Sequence, residues 1–151
     1  MARSYSVFAD NIAAQSSATV PQAQIVSTAA VRPKLYDLMV GSPSTPADNA
    51  ASFVIKRSST ASTGGTAVTP SPLDPGDPAS LTTAMVAPSM SAPTLGVALL
   101  QWAQNQRATY RWVAAPNKEL IAPATASNGL TLLNTVLSGA FNLSFTIEFE
   151  E

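Results

Sequence analysis

The sequence predicts an all-β protein, a jelly-roll-like sandwich of about eight strands with an extended N-terminal arm. Three observations carry that prediction. Phe141, Leu143, Phe145, Ile147 and Phe149 alternate with Asn142, Ser144, Thr146 and Glu148, which is the period of two of a half-buried strand. Short apolar runs recur between turns built from 12 prolines, a spacing that suits a sandwich or barrel. No long helical period runs through the chain.

Residues 1–21 read as the arm with an opening strand, and residues 22–151 as one β-sandwich domain, the natural number for 151 residues. Tyr5, Val7 and Phe8 suggest a short opening strand. From residue 9 to residue 21, Ile12 and Val20 stand isolated among small and polar residues. Fixing a residue costs about 1–2 kcal/mol of backbone entropy, and so few bulky side chains do not offset it. The arm is therefore expected to order only against neighbouring copies, with Tyr5, Phe8 and Ile12 as candidate contacts.

The next candidate strand is Gln22–Thr28. Lys34–Gly41 puts Tyr36, Leu38 and Val40 on one face and Leu35, Asp37 and Met39 on the other. Ser52–Arg57 and Leu81–Val86 follow, separated by Pro70–Pro78, where four prolines remove too many ladder donors for regular structure. Leu95, Leu99 and Trp102 fall at i, i+4 and i+7 behind Pro93 and Thr94, so residues 95–104 fit a short helix with an N-cap or a strand. Thr109–Val113 alternates, with Tyr110 and Trp112 together. Asn128-Gly129 marks a tight turn. Leu130–Leu137 is apolar on both faces and reads as a buried strand.

Composition narrows the function. Leu, Ile, Val and Phe make up 34 residues, enough to place the chain outside the disordered class. Without His or Cys, the usual general base and the usual soft-metal ligands are missing. The carboxylates do not pair among aromatic residues as a sugar cleft requires. Asp74 and Asp77 lack the spacing and closing Glu of a calcium loop and read as turn caps. Gly64-Gly65 has no following Lys-Ser/Thr and is not a phosphate loop. The chain is expected to have no catalytic, cofactor-binding or metal site and not to be an enzyme.

Only 11% of residues are charged and the net charge is −1, so little repulsion keeps copies apart. A surface of this kind suits an assembly. The eight Lys and Arg are scattered, which argues against nucleic acid. No apolar run reaches membrane-spanning length. No signal pattern opens the chain, so synthesis in a cytoplasm is expected, and Asn142-Leu143-Ser144 is then a chance glycosylation triplet. Trp102, Tyr110, Arg111 and Trp112 are the one aromatic concentration, and aromatics with Arg are enriched at protein interfaces; the competing reading places them in the core.

Several segments together carry a resemblance. They are Arg32-Pro33-Lys34-Leu35-Tyr36-Asp37-Leu38-Met39-Val40-Gly41, Phe53-Val54-Ile55-Lys56-Arg57, Leu73-Asp74-Pro75-Gly76-Asp77-Pro78, the run from Tyr110-Arg111-Trp112 to Ile121, and the alternating strand at 141–149. Across about residues 24–151 the chain resembles the β-sandwich decoration, or cement, proteins of tailed-bacteriophage heads. The resemblance implies a virion location on the capsid exterior, production in the host cytoplasm, many copies, and binding to the major capsid protein, commonly as a homotrimer. The alternative is a receptor- or glycan-binding module of a phage tail or fibre, with Trp102, Tyr110 and Trp112 as a stacking platform.

Overall fold

The computed structural model describes residues 2–137 and 139–151; Met1 and Ser138 lie outside the described residues. Twelve strands and no helix are found there: β1 (Ser4–Ala13), β2 (Ala23–Val26), β3 (Lys34–Gly41), β4 (Ala50–Ser58), β5 (Thr66–Val68), β6 (Ser71–Pro72), β7 (Thr83–Val86), β8 (Leu95–Asn105), β9 (Tyr110–Val113), β10 (Leu120–Ile121), β11 (Gly129–Leu137) and β12 (Asn142–Glu150). They form two six-stranded antiparallel sheets. The first runs β10-β3-β12-β1-β6, with β9 also on β3; the second runs β5-β7-β2-β11-β4-β8. The chain is an all-β sandwich.

The longer strands pair in a nested order. β1 pairs with β12, β2 with β11, β3 with β9 and β4 with β8. The chain is in effect one long hairpin wound over itself. Residues 59–94, inserted between β4 and β8, carry three of the four strands outside these pairs; the fourth, β10, lies on β3. β5 and β7 extend the second sheet beyond β2, and β6 extends the first beyond β1.

The alternation of β12 settles the centre of the core. Phe145, Ile147 and Phe149 point between the sheets and are buried with Leu143 and the preceding Phe141. Burying such side chains contributes about 1.5–3 kcal/mol each. Tyr5 stacks on Phe149, with ring centroids 5.7 Å apart. Leu38 and Val40 of β3, Ile25 of β2, Phe53 and Ile55 of β4 and Leu130 and Leu132 of β11 complete the interior.

Four sequence expectations differ from the structure. In β3 a bulge at Tyr36 breaks the alternation, so Leu35 and not Tyr36 joins Leu38 and Val40 in the core. Ser4–Ala13 is a ten-residue strand between β12 and β6, not a loose arm. Tyr5, Val7 and Ala9 alternate inward, but the small Ala9 and a bulge at Asp10-Asn11 hide the period. Asn11 takes φ 55° there, a left-handed conformation that Asn tolerates. Within 70–78, Ser71–Pro72 is a two-residue strand on the edge of β1, a place where proline fits. The turn near Asn128-Gly129 lies two residues earlier, over 125–128: Asn128 N donates to Thr125 O and Ser127 has φ 69°. Gly129 is needed for another reason, since a Cβ there would meet Ile25 O at 2.2 Å. Residues 95–104, left open between helix and strand, lie within the strand β8.

Candidate protein interface

The two outer faces of the sandwich are finished differently. On the second sheet, Gln24 and Thr131 point away from the core by strand alternation yet are fully covered. The start of the insertion folds over them. Gln24 Nε2 donates to Ser58 Oγ (2.8 Å) and Thr60 O (2.9 Å), and Ser62 N donates to Gln24 Oε1 (2.7 Å). The hydroxyls of Thr131 and Ser58 lie 3.1 Å apart. On the same face the register pair Val54 and Leu133 is buried.

The first sheet has no such cover. Residues of one face line up across the strands by register: Phe8 opposite Thr146, Thr146 opposite Met39, and Met39 opposite Arg111. The next row is Ser6, Glu148, Asp37 and Val113. Phe8 is 61%, Met39 44% and Val113 56% exposed. A shallow groove of about 430 Å³ runs over this face, lined by Phe8, Met39, Gly41, Pro43, Thr109 and Thr146 among others. Exposed apolar side chains gathered in one patch mark a surface that meets something.

Polar residues also run through this face, and Asp37 and Arg111 pair between Met39 and Val113. Arg111 Nε donates to both oxygens of Asp37 (3.1 and 3.2 Å) and Nη2 approaches Oδ2 at 2.5 Å. These bonds raise the guanidinium above its ordinary value. They also give the nearly buried Asp37 carboxylate a partner, which a covered charge requires. At the other end Ser144 Oγ donates to Asp10, Asn11 N donates to Ser144 Oγ (3.2 Å) and Asn142 Nδ2 donates to Asn11 Oδ1 (2.8 Å). These bonds brace the β1 bulge where the groove ends.

The insertion is tied down at the opposite edge. Tyr5 OH donates to Pro78 O (3.1 Å), and Arg3 Nε lies 3.6 Å from Asp77. The Glu151 carboxylate accepts from Leu81 N (2.8 Å), Thr82 N (2.9 Å) and Ser80 Oγ (3.0 Å). Partial burial pushes against its charge, but the bonds from Leu81, Thr82 and Ser80 outweigh this and hold the carboxyl below the usual range. Asp74 Oδ1 accepts from Gly76 N (2.8 Å), a local turn cap.

The residues singled out in the sequence separate into different places. Tyr5 is core and not an accessible contact. Phe8 is the exposed end of the first-sheet patch. Ile12 is half-buried against the core. Trp102 is 8% exposed and stacks on Phe53 (5.3 Å) and on Tyr110 (4.6 Å). These rings bridge the two sheets at the β8/β9 side, so Trp102 and Tyr110 are largely spent on packing. Trp112 is also packed against the core. Arg111 faces outward beside Met39. Sequence reasoning missed Met39 and Val113 as surface residues. Their signal was parity: each is an apolar residue one step from an inward neighbour.

Among the described residues, no helix is long and apolar enough to cross a membrane, and no three acidic side chains converge as metal ligands would. No known protein family, curated protein or solved structure matches the chain.

Proposed function

We propose that this chain is a structural virion protein, a decoration protein that binds the major capsid protein on a bacteriophage head and stabilises the shell. The observation that carries this reading is the set of exposed apolar side chains Phe8, Met39 and Val113 on the first sheet, whereas the chain itself covers Gln24, Val54, Thr131 and Leu133 in the middle of the second sheet's outer face. Protein interfaces combine apolar contacts with hydrogen-bonded polar groups, here the Arg111–Asp37 pair between Met39 and Val113. The nested pairing of eight strands supports the jelly-roll form of the sandwich. The low charge supports a contact made by apolar burial. The alternative, a glycan- or receptor-binding module, loses its stacking platform because Trp102 and Tyr110 stack on one another.

Mass spectrometry of purified virions tests the proposal. A copy number comparable to that of the shell protein supports it. A copy number matching a tail or fibre overturns it. Binding to shells should change little with ionic strength, because salt screens charges and leaves apolar burial intact. Loss of binding on added salt alone would overturn the apolar mechanism.

A further inference from the structure

We infer that the free edge of β8 pairs with β8 of a second copy, antiparallel across a two-fold axis, joining the two second sheets into one continuous sheet. This goes beyond the shell-binding reading and does not rest on it.

An edge strand presents a row of unpaired N–H and C=O groups, and proteins blunt such edges with shortness, proline, charge or bulges. β5 has three residues and is followed by Pro70; β6 is Ser71–Pro72; β10 has two residues beside Lys118-Glu119; β9 has four and carries Arg111. β8 has eleven residues, Leu-Gly-Val-Ala-Leu-Leu-Gln-Trp-Ala-Gln-Asn, with no charge and no proline. It ends the second sheet, and among the described residues no strand pairs its other side.

One half of β8 is protected. Two extra residues break its register with β4 between Leu95 and Leu100, and such bulges twist an edge away from a newcomer. The other half is not. From Leu100 to Asn105 six consecutive residues pair with β4 without a break, so their outward main-chain groups stand at regular strand spacing. Only another extended strand offers matching donors and acceptors in a row.

Charge selects a second copy as the occupant. Two identical strands set antiparallel place each residue opposite a residue of the same segment, and like charges opposite one another destabilise a sheet. The segment 100–105 carries none. Directly opposite residues of an antiparallel pair share a face of the sheet. A two-fold axis through such a pair therefore keeps both cores on the same side and both Trp102 rings facing inward.

The assembly differs from the trimer that the family resemblance implies, so solution mass separates them. Sedimentation of the full chain over a range of concentrations should show a dimer. Exposed Ala103 changed to Lys should yield a monomer with unchanged strand content by circular dichroism. The chain has no cysteine, so Gln101→Cys, Ala103→Cys and Asn105→Cys, singly and mixed in pairs, report the pairing directly. Opposite Cα atoms lie about 4.5–5.5 Å apart, within disulfide reach, and disulfide-linked dimers are expected for one register. A wild-type monomer at every concentration, a trimer, or a dimer that Ala103→Lys leaves intact and no cysteine position crosslinks would overturn the inference. Should Ala103→Lys not fold, the crosslinking result decides.

Discussion

The outer faces of the two sheets differ at their centres: the middle of the second is covered, with Val97 and Val136 left exposed around it, and the middle of the first is open. On the second sheet, residues 59–62 lie over Gln24, Ser58 and Thr131, and Val54 and Leu133 of the same face are sealed from solvent. On the first sheet, Phe8, Met39 and Val113 occupy comparable outward positions and remain in water. A sheet covered on both sides becomes interior, and its outward residues contribute to folding. A sheet covered on one side keeps its outward apolar residues free for a partner. Substitutions on the two faces should therefore behave differently, and the size of the difference measures how far each face is committed to the fold.

The largest effect is expected at Leu133, fully buried on the covered face. Leu133→Ala should cost about 2–5 kcal/mol, the lost transfer energy together with the cavity left behind. Urea unfolding reads this directly. A loss below about 0.5 kcal/mol would mean that the face behaves as surface, and the contrast between the sheets would disappear.

Gln24→Ala should come next. The substitution removes an acceptor from Ser62 N and donors from Ser58 and Thr60. Leaving buried polar groups without partners costs about 1–3 kcal/mol. Hydrogen exchange at the Ser62 amide should accelerate more than exchange in β12, because the insertion loosens locally while the central strands hold. Equal acceleration everywhere would show that the cover is part of the global folding unit.

How much of this was legible in the sequence depended on whether a strand has neighbours on both sides. β12 lies between β3 and β1 under the full second layer, and its four apolar residues, with Phe141 just before them, alternate without a fault. β8 has one neighbour and two bulges, so Leu95, Leu99 and Trp102 fall at a spacing that also fits a helix. The both-sided apolar character of Leu130–Leu137 announced a covered face that holds for Leu130–Leu133, while Val136 is exposed. The cover itself was not legible, because Gln24 and Thr131 are polar and their partners are distant in sequence: Gln24 bonds to a loop 36 residues away and Thr131 to Ser58, 73 residues away. The candidate interface was half legible. Phe8 could be named, but Met39 and Val113 declare themselves only once strand parity is fixed, and Tyr5 and Trp102 proved to be packing residues.

A smaller effect is expected where the insertion is clasped by Glu151. Its folded-state pKa is lowered, so its contribution is present above the ordinary glutamate value and is lost as pH falls through the lowered one. Glu151→Gln should lower stability at neutral pH by about 1 kcal/mol, the bonds being strong but partly screened by solvent. The difference from wild type should shrink as the pH drops below the glutamate range. A difference that stays constant down to acid pH would assign the effect to shape and not to charge.

The smallest effect on folding belongs to Phe8. Its ring lies on the uncovered face, 61% exposed, across from Thr146. Phe8→Ser keeps the strand, its pairing with β12 and the inward Tyr5, Val7 and Ala9. Surface changes of this kind usually fall within about 0.5 kcal/mol, so the urea midpoint should barely move. Shell binding should weaken strongly, since an aromatic side chain buried in an interface often carries about 2 kcal/mol or more, some thirtyfold in affinity. The paired measurement separates the two uses of an apolar residue. Unchanged stability with lost binding places Phe8 in a contact between molecules. A large loss of stability would place it in the fold, and unchanged binding would move the interface off this face.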